Sequence, residues 1–89
     1  MRSVLTVTFQ NGKSKRFYYE LEENDGDLQA DRLRRILAQS ALVLRIQDES
    51  LEHDDELMII PTGSIESIRL SLPMKEMRLP EVMFVKRAD

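Results

Sequence analysis

The chain contains no cysteine. That absence removes disulfide frameworks, thiolate metal sites and cysteine nucleophiles together. Glycine is scarce as well, with three in the whole sequence, and none forms a phosphate-cradling loop, a nucleophile elbow or another recognisable catalytic frame. No apolar run approaches the roughly 20 residues that a membrane span requires. The first residues, Met1 to Val7, lack the long apolar stretch of a signal peptide and already alternate like a strand. A soluble, cytoplasmic protein is the expectation. Positive charge is also in deficit: the net charge of −3 opposes whole-surface attraction to nucleic acid or anionic lipid and leaves room only for a local basic patch.

What is present suffices for one small fold. At 42% hydrophobic and 33% charged residues the composition argues against disorder. A single domain over residues 1–89, with its core in 1–72 and an edge strand or tail in 73–89, is expected. A domain this small buries only about 60–65% of its unfolded surface, so its stability is modest or assisted by self-association.

Leu5, Val7 and Phe9 alternate with Thr6 and Thr8, and Phe17, Tyr19 and Leu21 repeat the pattern beyond Asn11-Gly12. This is a hairpin signature. Parity then chooses the loop. A two-residue Asn11-Gly12 turn places Phe17 and Tyr19 behind the Thr6/Thr8 face, whereas a three-residue Gln10-Asn11-Gly12 loop with Gly12 left-handed pairs Phe9 with Lys13 and Leu5 with Phe17. The longer loop unites the two apolar sets and is preferred.

Asn24 to Asp27 supply capping residues for an amphipathic helix from about Leu28 to Ser40, with Ala30, Leu33, Ile36 and Leu37 as its apolar stripe. Leu42 to Ile46 reads as a strand, Asp48 to Glu56 as an acidic loop, and Leu57 to Ile60 as a second strand. Pro61 to Ser67 reads as a tight bend, because Ile65 breaks the alternation that Ile68, Leu70 and Leu72 restore. Val82 to Val85 reads as a last strand, at an edge position because prolines precede it. The fold class is therefore α+β, mostly antiparallel, in the order β-β-α-β-β-β with a further C-terminal strand and one helix packed on the sheet. The expected core comprises Leu5, Val7, Phe9, Phe17, Tyr19, Leu33, Ile36, Leu37, Leu44, Ile46, Ile59, Ile68 and Leu70.

Chemistry-bearing residues are few. His53 lies among Glu52, Asp54 and Asp55, but the spacing matches no ligand motif, and a charged loop between strands explains it. Asn24-Asp25-Gly26-Asp27 evokes a calcium loop. Placing Gly26 at the sixth position puts Leu21 at the first, and leucine cannot coordinate. No metal and no cofactor is expected. Lys13, Lys15 and Arg16 near the hairpin, with Arg32, Arg34 and Arg35 on the helix, are candidates for a phosphate-binding patch beside Tyr18. The alternative, preferred on the acidic whole-chain balance, is that they pair with Glu20, Asp27 and Asp31. Met74, Met77 and Phe84 are candidate contact residues of the C-terminal segment.

Met58 to Ile68, an apolar strand, one tight Pro61-Thr62-Gly63 turn and a following strand, resembles the corresponding element of small Sm-like β-barrels. The chain departs from that family in placing a full hairpin before the helix and in having Thr62 and Gly63 where the family carries its histidine-containing RNA-binding turn. No RNA-binding residue is carried over. In general style the chain also resembles short bacterial proteins. The expected function is a non-enzymatic interaction or regulatory module that binds another protein or itself. Nucleic-acid binding through the two basic clusters is second, and an enzyme collecting Tyr18, His53, Asp54 and Arg69 in one pocket is third.

Overall fold

The computed structural model describes residues 2–21, 26–47, 50, 52–71, 83 and 85–88. Strands β1 (Arg2–Phe9) and β2 (Ser14–Glu20) precede helix α1 (Gly26–Leu37), followed by β3 (Ala41–Ile46), β4 (Glu56–Pro61), a 3-10 turn at Thr62–Ser64, and β5 (Ile65–Leu70). The strands form two antiparallel sheets, β2-β1-β5 and β3-β4. The α+β class and the element order are those expected. The expected single sheet is instead divided in two.

The first hairpin has the three-residue loop that parity demands. Phe9 N–H donates to Lys13 O at 2.8 Å, Gly12 N–H donates to Phe9 O at 2.9 Å, and Gly12 has φ 85°. Leu5 consequently faces Phe17 across the ladder. On the other side of β1, Leu5 pairs with Leu70 and Val7 with Ile68. Register shifts between Thr8 and Phe9, which pair with Ser67 and Ile65, so Glu66 is the extra residue of a β-bulge. The bulge explains the lost alternation: Ile65 and Ile68, three apart, both reach the inner face.

The corner before β5 is pinned from two directions. Ser64 Oγ donates to Pro61 O at 2.7 Å, while Thr62 donates from its hydroxyl to Gln39 O at 2.6 Å and from its N–H to Ser40 O at 3.0 Å. From the hairpin loop, Gln10 N–H donates to Ser64 O at 2.9 Å. These bonds fix where β4 hands the chain to β5.

Leu5, Val7, Leu42, Ile60 and Ile65 form the buried cluster, with Val7 wholly inaccessible. Leu33 and Ile36 pack against it from α1. Two expected core residues are corrected. Ile59 is exposed because Leu42 pairs with Ile60, which turns Ile60 inward and its neighbour outward. Leu37, at the very end of α1, is also exposed. The expected Asn24 and Asp25 caps and most of the expected C-terminal strand lie outside the described residues. Met83 and Val85 are described, exposed and not in a strand.

Three residues make different demands on the fold. Ser3 stands on the inner face, buried, with its Oγ lacking any hydrogen-bond partner, so Ser3→Ala is expected to raise stability by about 1 kcal/mol in urea unfolding. The same measurement separates two glycines. A Cβ at Gly63 meets nothing within 4 Å and its backbone is not left-handed, so Gly63→Ala is expected to be neutral or to gain about 0.5 kcal/mol. Gly12→Ala, at positive φ, is expected to lose about 1 kcal/mol.

Candidate functional site

A two-stranded ribbon has two faces, and β3-β4 commits only one of them to the core. Leu42, Leu44, Met58 and Ile60 point inward. Cross-strand pairs alternate, so Ala41 with Pro61, Val43 with Ile59, and Arg45 with Leu57 occupy the opposite face. There Val43 is 56%, Ile59 61% and Leu57 68% exposed. Three large aliphatic side chains thus lie adjacent in water. Singly they would need no explanation, but grouped on one strand pair they mark a contact surface.

The charge at the end of this face is compensated. Arg45 Nε donates to Asp55 Oδ2 at 2.9 Å, and both side chains are substantially exposed. The pair contributes little stability in such a setting, but among the described residues it leaves the paired strands' outer face without net charge. His53, in the segment leading to β4, is exposed. Among the described residues no three potential ligands converge to hold a metal ion, and no helix is long and apolar enough to cross a membrane.

The basic clusters are distributed differently from a single patch. On α1, Asp31 engages Arg35 at 2.8 Å and Arg34 at 3.7 Å, the i,i+4 and i,i+3 pairing expected of helix-surface charges. Both arginines also occupy the last turn, where the helix dipole favours cations. Arg32 instead donates to the Tyr19 hydroxyl at 2.9 Å. On the hairpin, Lys13 lies beyond the paired residues, Lys15 is opposite inward-facing Val7, and Arg16 is on the outer face opposite Thr6. Lys15 is four residues from Tyr19, about 13 Å along the strand, so the two clusters do not merge.

Pairing of β1 with both neighbours creates a grouping that neither cluster anticipated. Arg16, Thr6 and Arg69 form one cross-sheet row on the outer face. Beside it Tyr18 is 75% exposed, with the Arg2 guanidinium 4.6 Å from its ring centroid. Glu20 stands opposite Arg2 in the ladder. Tyr18 and Arg69 therefore share one sheet, while His53 and Asp54 belong to the approach to the other. Met74, Met77 and Phe84 lie outside the described residues. Compared with known proteins, the chain matches no protein-family model, no curated protein and no solved structure.

Proposed function

We propose that this protein is a non-enzymatic cytoplasmic interaction module that associates with a second copy of itself through the outer face of the β3-β4 ribbon. The supporting observation is the apolar group Val43, Leu57 and Ile59 on a face whose one cation among the described residues is already paired with Asp55. Such a surface is complementary to itself. Brought together about a two-fold axis, apolar side chains meet apolar side chains and no unpaired charge is buried. A charged partner would find nothing on this face to select it. The absence of cysteine suits a reducing compartment.

The size of the ribbon sets the strength of the contact. Six residues per strand and two strands span roughly 20 by 10 Å. About 200 Å² per partner is small against the roughly 800 Å² of a standard interface. The dimer is accordingly weak and appears as concentration rises.

Single-stranded nucleic acid is the second reading, favoured by the exposed Tyr18 ring next to the Arg16-Thr6-Arg69 row. An aromatic platform edged by guanidinium groups offers stacking and phosphate contacts together.

Light scattering coupled to size exclusion tests the first reading. From about 10 μM to about 1 mM the apparent mass is expected to rise towards a dimer. Ile59→Lys is expected to stay monomeric with stability changed by no more than about 0.5 kcal/mol, since the side chain is exposed in the monomer. A monomer across the range, or unaltered association of Ile59→Lys, refutes it. For the second reading, binding of a fluorescent oligonucleotide at low salt is expected to weaken steeply as salt rises and to drop on Tyr18→Ala. Absence of binding at low ionic strength removes it.

A further inference from the structure

A cavity of about 150 Å³ lies between α1 and the sheets. Its walls are aliphatic: Leu33 and Ile36 from the helix, Leu5 and Leu70 from the first sheet, Leu42 and Leu44 from the second. One wall residue is out of character. Gln29 is only 3% exposed and brings a primary amide to the wall. It shares the helix face of Leu33 and Ile36, at i, i+4 and i+7, where an apolar residue would complete the stripe.

The polar groups near the opening have a definite sense. Tyr19 and Arg32 also line the cavity, and Arg32 is exposed. Because the Tyr19 oxygen accepts the Arg32 N–H at 2.9 Å, its own proton remains to be donated. The guanidinium retains four further N–H groups. Among the described residues the Tyr19 and Arg32 side chains therefore present donors, with one positive charge, above an aliphatic interior. An interior of this volume accommodates a body of about six carbons, the size of a benzene ring.

We infer that this cavity binds a small monocarboxylic acid, its apolar body between α1 and the sheets and its carboxylate at Tyr19 and Arg32. A carboxylate is the planar, singly charged acceptor that one guanidinium fork and one hydroxyl fit. A neutral alcohol of the same size would gain the interior and forgo the charge-assisted bonds. An amine would place a cation against Arg32.

Titration of the full chain with hexanoate and benzoate, followed by proton–nitrogen NMR and by the methyl resonances of the wall leucines, tests this site. Saturable shifts of the Gln29 side-chain amide and of the Leu33 and Leu70 methyls are expected, with hexanoate binding at least about tenfold more tightly than hexanol or hexylamine. Arg32→Met, a change at an exposed position, is expected to abolish that preference while hexanol binding stays as it was. Leu70→Phe, which fills the cavity, is expected to remove binding of acid and alcohol alike. No saturable shift up to about 10 mM acid, equal affinity for acid and alcohol, or an acid preference that survives Arg32→Met overturns the assignment.

Discussion

The contact on which the rest of the structure depends is the meeting of the β1 inner face with the Leu42–Ile60 pair. Val7 is wholly buried and Leu5 nearly so, because β1 is covered on its inner face and flanked on both edges by β2 and β5. Leu42 and Ile60 are each 5% exposed and come from the other sheet. No ladder of backbone hydrogen bonds joins the two sheets among the described residues, so side-chain packing holds them together. The Thr62 and Gln10 bonds at the corner then set the angle at which one sheet delivers the chain to the other.

This arrangement dictates the unusual state of β3-β4. A two-stranded ribbon is marginal alone in water and gains its stability from what covers it. Here one face is covered by the β1 layer and α1 reaches β3 from the side, while Val43, Leu57 and Ile59 remain in solvent on the other face. Among the described residues no third layer covers that face. In the proposed dimer a second copy supplies that layer, through a surface whose Arg45 is paired with Asp55.

The first hairpin was fully legible, since Asn11-Gly12 and the parity of Leu5, Phe9 and Phe17 permit one register that unites the apolar sets. The disturbance at Ile65 was visible too. Its cause, a bulge at Glu66 following a 3-10 turn, depends on pairing with β1, nearly sixty residues away in sequence. The β4 run Leu57-Met58-Ile59-Ile60 is apolar at every position, so no alternation signals which residues face inward, and only pairing of Leu42 with Ile60 decides it. For the same reason the contact face was hidden: it became visible once Ile59 turned outward beside Val43. The helix arginines were readable as partners of Asp31 from spacing alone. The Arg16-Thr6-Arg69 row was not, because it joins three strands that only the tertiary fold brings together. Gln29 carried no signal, since an isolated glutamine on a polar-rich helix looks like surface until the cavity beside it is seen.

Proton–nitrogen NMR spectra recorded on dilution bear most directly on the role of the uncovered ribbon face. The amides of Val43, Leu57 and Ile59 are expected to shift progressively as the protein is diluted, while those of Thr6 and Thr8, on the outer face of the other sheet, hold their positions. Spectra that do not change with concentration, or changes centred on Thr6 and Tyr18 instead of the ribbon, would contradict it.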